Sequence, residues 1–292
     1  LGQDQLTLPY YKQALTIYQS IYQEHPKLAR VLNRIGRSLS NLGQYQEGLA
    51  YCEKSLFMQK KIYQDEDHPG TAQALNALGH SLTQVGKYQD GLTYLEEALA
   101  MQKRIHQNKP HHGLAKSLFS LGYGLYHMGK YQKALVYFTK ALEMYMQIYN
   151  YQAHFNVAKT LHHLGSCLAS LSYYQEALTY ATDALAMRKK LYQGHQENPL
   201  IADSLTNLGI VLAGLKQYEA ALNYCQQALV IQKRLYSDQK HPCLIDTMST
   251  LGNILLALGQ YDSALDFYKQ AVGMALSIYP QESPGLANYL GR

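Results

Sequence analysis

The chain predicts an all-α protein built as an array of antiparallel helix pairs, and three periodic observations carry that prediction. A Leu-Gly or Ile-Gly step recurs with its glycine at Gly36, Gly79, Gly122, Gly165, Gly209 and Gly252, at intervals of 43, 43, 43, 44 and 43 residues. Nine residues after each glycine stands a tyrosine: Tyr45, Tyr88, Tyr131, Tyr174, Tyr218 and Tyr261. Two small-apolar pairs then follow, from Gly48-Leu49 and Ser55-Leu56 in the first repeat to Ala264-Leu265 and Ala271-Val272 in the last. A fixed period of this size in 292 residues is the mark of stacked repeats that share one growing core, which overrules the two globular domains that length alone suggests.

The elements follow in order. Residues 1–24 hold a second helix without its first: Tyr10, Ala14-Leu15 and Ile21-Tyr22 stand where Tyr51, Ser55-Leu56 and Ile62-Tyr63 stand in the next repeat. Six repeats are expected at 25–67, 68–110, 111–153, 154–197, 198–240 and 241–282. The second shows the logic. His68-Pro69 opens it, since proline suits a first helical turn where its missing N–H is not needed. Ala72, Leu75, Leu78, Leu82 and Val85 recur at spacings of three and four, one apolar face of a helix. Gly86-Lys87-Tyr88 closes that helix, glycine supplying the left-handed dihedral favoured at a helix end. Leu92, Leu95, Leu99 and Ile105 carry a second helix to the polar stretch Gln107–Pro110. Residues 283–292, with Ser283-Pro284-Gly285-Leu286-Ala287, restart a first helix. The expectation is one continuous solenoid, a piece of a longer array or a larger protein.

Gly79 sits inside a first helix at a propensity cost of about 1 kcal/mol, so close approach of a neighbouring helix is the expected compensation; Gly91, Ala134, Ala177 and Ala221 read the same way early in the second helices. The recurring tyrosines are expected to be structural.

Composition excludes several function classes. No apolar run approaches the roughly 18 residues of a membrane span. The cysteines Cys52, Cys167, Cys225 and Cys243 form no Cys-x-x-Cys and there is no Asn-x-Ser/Thr sequon, so buried thiols in a reducing, cytoplasmic setting are expected. The net charge of +5 is mild, and much of it sits in dibasic steps at Lys60-Lys61, Lys103-Arg104, Lys189-Lys190 and Lys233-Arg234. Cations complement a helix C-terminus. That ridge reads as solvated structure or as a nucleic-acid or membrane stripe, and its interruption at Gln147-Ile148 and Leu276-Ser277 favours the former.

The pattern Leu-Gly, Gly-x-Tyr, Ala-Leu, Ala-Leu resembles the tetratricopeptide repeat. The long period, the His25-Pro26, His68-Pro69 and His241-Pro242 linkers and the Leu32-Asn33 and Leu75-Asn76 steps resemble its kinesin-light-chain branch. The chain departs from the pattern where Ser172 and Lys216 replace the turn glycine, where His112 and Phe155 replace the opening proline, and where Phe119, His162, Thr206 and Ser249 replace the asparagine. The resemblance implies a right-handed α-solenoid superhelix that acts as a protein–protein interaction scaffold. Similar long repeats are fused to signalling or effector modules in bacterial and pathogen proteins, so a regulatory arm of a larger enzyme or secreted effector, acting in a host cytosol, is the alternative.

The same resemblance implies that first helices line a concave groove. Counted from each Leu-Gly glycine, the residue six before runs Arg30, Gln73, Lys116, Lys159, Asp203, Asp246; the residue three before begins Asn33, Asn76, Phe119, His162; the residue after begins Arg37, His80, Tyr123. The expected groove is basic and aromatic, with Tyr126, through four repeats and acidic in the last two. A protein or peptide ligand of acidic character is therefore expected, with aromatic anchors and charge complementarity tuning orientation.

Nothing points to catalysis or a cofactor. Twelve histidines include the adjacent pairs His111-His112 and His162-His163, but helical neighbours do not face each other, and no His-Glu-x-x-His appears. Cys167, one turn from His163, reads as core. No phosphate-cradling glycine loop or nucleophile elbow is present. No metal, small-molecule substrate, nucleic-acid or membrane partner is expected.

Overall fold

A computed structural model of the chain describes residues 2–64, 66–195, 197–236 and 240–278. The restarted helix expected at 283–292 lies outside the described residues.

Thirteen α-helices make up the described residues: α1 (Gly2–Ile21), α2 (Pro26–Asn41), α3 (Tyr45–Tyr63), α4 (Pro69–Gln84), α5 (Tyr88–His106), α6 (His112–His127), α7 (Tyr131–Ile148), α8 (Phe155–Ser170), α9 (Tyr174–Leu191), α10 (Pro199–Gly214), α11 (Tyr218–Tyr236), α12 (Pro242–Ala257) and α13 (Tyr261–Ile278). The all-α repeat fold expected from the period is the fold observed. The chain divides into two compact units, Leu1–Ile148 and Tyr149–Arg292. In the first, α2/α3, α4/α5 and α6/α7 form hairpins, α1 packs on α2, and α2, α4 and α6 lie side by side. In the second, α8/α9, α10/α11 and α12/α13 pair, and α8, α10 and α12 lie side by side.

Every hairpin turns the same way. Gln44, Lys87, Lys130, Tyr173, Gln217 and Gln260 each donate a backbone N–H to the carbonyl five residues back at 2.9 Å, the closing bond of a left-handed helix C-cap. Glycine takes the required positive φ at Gly86 (+83°), while Ser172 (+64°) and Lys216 (+61°) take it without glycine's freedom.

The hairpins close on small residues. A Cβ at Gly79 would lie 2.7 Å from Leu95 Cγ and 2.8 Å from the Gly91 carbonyl, and one at Gly91 would lie 2.8 Å from the Gly79 carbonyl. Backbones of α4 and α5 thus meet where the sequence omits side chains, as expected. Between hairpins, polar ties fix register: Ser40 and Ser81 hydroxyls lie 3.3 Å apart, Asn76 Nδ2 donates to Ser117 Oγ at 2.6 Å, and the Thr206 and Thr247 hydroxyls lie 2.9 Å apart. The inner helices are consequently wrapped by neighbours. In α4 the run Thr71–Thr83 is buried except Gln73 and His80.

Each repeat also opens in one way. His25, His68, His111, His154 and His241 accept a backbone N–H two residues on through Nδ1, and Asn198 does the same with Oδ1. These side chains satisfy one orphan donor of each first helix. Three residues of the dibasic ridge form ion pairs that reach back 37 residues to the acid just before the cap. Lys61 pairs with Glu24, Arg104 holds Asp67 through Nε and Nη2 at 2.6 Å each, and Arg234 Nη1 lies 3.0 Å from Glu197.

Candidate functional site

The helical period dictates which side chains of a first helix can face outward. In α2 the exposed set is Lys27, Arg30, Arg34, Arg37 and Asn41, spaced three, four, three and four, with Asn33 half-buried beside it. Arg34 belongs to that stripe although repeat alignment hides it: the aligned positions are Ala77 and Ser120 in unit 1, both buried.

These residues line a cavity of about 550 Å³ in the first unit, within the range of ligand clefts. Its walls come from α1 (Asp4, Tyr11), from α2 (Arg30, Asn33, Arg34, Arg37, Ser38, Asn41), from the end of α3 (Gln59, Tyr63) and from the start of α4 with its cap (His68, Pro69, Gly70, Gln73). Two elements fix one side. Asp4 accepts from Ser38 Oγ at 2.8 Å and from Asn41 Nδ2 at 3.0 Å. Arg34 Nη1 donates to the Tyr11 hydroxyl at 3.1 Å, and its guanidinium carbon stands 5.6 Å from the centre of that ring. Arg30 and Arg37 form no ion pair among the described residues. The buried Asn33 Nδ2 and Gln59 Oε1, one donor and one acceptor, have no hydrogen-bond partner among the described residues.

Of the twelve residues expected in the groove, Arg30, Asn33, Arg37 and Gln73 come together in this cavity. His80, Tyr123 and Tyr126 form a neighbouring half-buried aromatic group of the same unit. His80 stacks on Tyr123 with centroids 4.9 Å apart, and Tyr126 packs on Tyr131 at 5.4 Å. Lys116 is half-buried on α6.

Two residues do not face out. Asn76 is 3% exposed, turned toward Ser117 of the next first helix, and Phe119 is 6% exposed, packed on Phe138 at 5.4 Å. Both lie three residues before the Leu-Gly glycine, where a first helix flanked on both sides is covered. Asn33 escapes in part at the cavity wall.

Lys159 and His162 lie on α8 of the second unit, both half-buried. Burial and the cations Arg188 and Lys159 hold the His162 imidazole well below its ordinary value, so it is neutral at pH 7. In that unit Arg188, 3% exposed, takes the position of Gln59 and Gln102. Its Nη1 donates to the Leu200 carbonyl at 2.5 Å and to Ser204 Oγ at 2.8 Å. Burial pushes the carboxyl of nearby Asp203 up to about 6, against the pull of Arg188.

The repeat geometry has its counterpart in sequence. The tetratricopeptide repeat model matches residues 27–104, 76–147, 113–190 and 200–277. The chain belongs to the tetratricopeptide repeat family. No curated protein matches it in sequence. Among solved structures it is similar to a Rap protein complexed with Competence and Sporulation Factor (17% identity, TM-score 0.71, 95% of this chain and 71% of that one). It is similar to NprR in complex with its cognate peptide NprX (18%, 0.67, 98% and 82%). It is also similar to a putative kinesin light chain of Podosopora anserina with nearly identical TPR-like repeats (21%, 0.56, 73% and 99%). No helix of the described residues is long and apolar enough to cross a membrane.

Proposed function

We propose that this chain is a protein-interaction scaffold that holds a peptide segment of acidic character against the first helices of its N-terminal unit. The observation that carries the reading is the cavity at α2, where Arg30, Arg34 and Arg37 line open space and none of the three forms an ion pair among the described residues. A concave basic wall raises the local concentration of an anionic segment and orients it. The orphan donor on Asn33 and the orphan acceptor on Gln59 suit the C=O and N–H of an extended backbone, each of which removes the cost of a buried unpaired polar group. His80, Tyr123 and Tyr126 offer the next residues of that segment an aromatic surface. Likeness of fold to NprR, solved in complex with its cognate peptide NprX, supports the reading. The scaffold acts in the cytoplasm, without catalysis of its own.

The test uses a fluorescein-labelled oligo-aspartate peptide and fluorescence anisotropy. Arg30→Glu/Arg37→Glu should weaken capture more than about tenfold, equivalent to 1.4 kcal/mol, with helicity by circular dichroism unchanged; Lys116→Glu should weaken it less. Equal affinity for wild type and the double variant would remove the basic wall from the binding surface.

A further inference from the structure

The same cavity carries a sharper reading, which rests on the peptide-binding proposal above. We propose that its ligand is a phosphorylated side chain of the bound peptide, held by Arg30, Arg34 and Arg37 at the N-terminus of α4.

Four observations converge. Three guanidinium groups stand against the single Asp4 carboxylate in the lining, leaving an excess of two positive charges. One aspartate or glutamate neutralises one of them; a phosphomonoester, with a charge near −2 and three acceptor oxygens, neutralises both. Second, the start of α4 forms part of the wall through His68, Pro69 and Gly70. A helix of this length presents a positive dipole end there, which favours an anion. Third, Gln59 is 5% exposed yet its Oε1 has no partner among the described residues, and it lines the same cavity. That acceptor fits the backbone N–H of the phosphorylated residue. Fourth, Gly70 makes the room: a Cβ there would lie 2.8 Å from Gln59 Oε1. Arg34 is preorganised by Tyr11, so the site already holds one arginine in place, and all three are free of ion pairs among the described residues.

The second unit has no such arrangement at the corresponding positions. On α8 Lys159 keeps a cation at the position of Arg30, but His163 and Ser166 replace Arg34 and Arg37; on α10 and α12 Asp203 and Asp246 replace Arg30 and Gln73, and Cys243 replaces Gly70. The three-arginine wall is therefore a property of α2, whereas the unpaired glutamine acceptor recurs at Gln102 and Gln232.

The experiment uses the full chain and three peptide libraries of identical randomised flanks, with a central phosphoserine, glutamate or serine, read by fluorescence polarisation. Free O-phosphoserine is the fourth probe. The phosphoserine library should bind at least about tenfold tighter than the glutamate library. Arg30→Gln/Arg37→Gln should abolish that difference, and Gln59→Leu should weaken capture of the phosphoserine library while leaving the circular dichroism spectrum unchanged. Equal binding of the phosphoserine and glutamate libraries overturns the phosphate assignment and leaves the acidic-peptide reading standing. Failure of both anionic libraries overturns the two together. Free O-phosphoserine binding as tightly as its library also overturns the proposal, since the site would then serve a small phosphate monoester and not a peptide.

Discussion

The imidazole of His68 lies flat against the ring of Tyr63, with centroids 3.5 Å apart and planes 17° from parallel, while its Nδ1 accepts the Gly70 N–H at 3.0 Å. The unit recurs as Tyr22/His25, His106/His111, Tyr149/His154 and Tyr236/His241, with centroids between 3.5 and 4.1 Å. One side chain thus ends the second helix of one hairpin by stacking and begins the first helix of the next by capping. The cap requires a neutral ring, because a proton on Nδ1 removes the acceptor and places a cation at a positive dipole end.

Acid should therefore loosen the array below neutrality. Burial lowers the values of His68 and His154, and lowers His241 to about 4. An unfolded histidine titrates near 6.5, so between pH 6.5 and 4 the unfolded chain binds more protons than the folded one. Stability from these groups is complete above pH 6.5 and is lost as pH falls toward 4. Denaturant midpoints measured across that window should fall steadily. Asn198 shows that asparagine can do the capping, so His68→Asn/His154→Asn/His241→Asn should flatten the slope. At pH 7.5 the variant should lose about 0.5–1.5 kcal/mol for each ring stack removed. An unchanged slope would detach the caps from the pH response.

Ser172 and Lys216 hold the positive φ that glycine holds in the other four turns. A non-glycine residue there carries about 1 kcal/mol of strain, offset in part by the smaller entropy of its unfolded state. Ser172→Gly and Lys216→Gly should each raise stability by a few tenths to about 1 kcal/mol, seen as a higher Tm. The reverse change, Gly86→Ser, should lower it by a similar amount.

Much of this was legible in the sequence because a repeat writes each structural demand several times. The 43-residue period, the Leu-Gly crossings and the Gly-x-Tyr turns located the hairpins without tertiary information. The caps were half legible: His-Pro marked His25, His68 and His241, but His111 and His154 cap equally well without proline, since the function resides in Nδ1 and not in the following ring. The groove was harder. One residue along a helix turns its side chain by about 100°, so the same alignment that picks half-buried Lys116 also picks buried Phe119. Arg34 was obscured by averaging over repeats, whereas the spacing of four and three from Arg30 to Arg37 within α2 alone points to it. Pairings such as Arg104 with Asp67 could not be read at all before the geometry showed that 37 residues separate a helix end from the preceding cap.

The glycines divide into two groups with opposite predicted outcomes. A Cβ at Gly79 would press within 2.8 Å of both Leu95 and the Gly91 backbone, whereas one at Gly273 on α13 meets nothing within 4 Å. Gly79→Ala must separate two helices and should cost about 1–3 kcal/mol despite better helix propensity. Gly273→Ala should stabilise by about 0.5–1 kcal/mol through propensity and a less flexible unfolded chain. Urea denaturation of the two variants checks both signs; a stabilising Gly79→Ala would contradict the close crossing of α4 and α5.

Arg188 tests how one position changes its chemistry between units. Gln59, Gln102 and Gln232 occupy it elsewhere and are buried, as Arg188 is. The guanidinium answers the Leu200 carbonyl and the Ser204 hydroxyl, and its charge holds down the carboxyl of Asp203, which burial otherwise raises. Arg188→Ala leaves those groups unpaired beside a cavity and should cost about 2–4 kcal/mol. Arg188→Gln restores the residue that stands there in three other repeats, as Gln59, Gln102 and Gln232, and should cost no more than about 1 kcal/mol. In both variants Asp203 loses its opposing cation, so its carboxyl should titrate above its present value of about 6. Carbon-detected NMR of that carboxyl reads the change. A raised Asp203 folded value gives stability that is complete below the unfolded value of 3.8 and is lost as pH rises through about 6. Asp203→Asn should therefore stabilise the protein at pH 7 and match wild type near pH 4, and a variant that is less stable at pH 7 would mean that the charged carboxylate is held by contacts stronger than its burial.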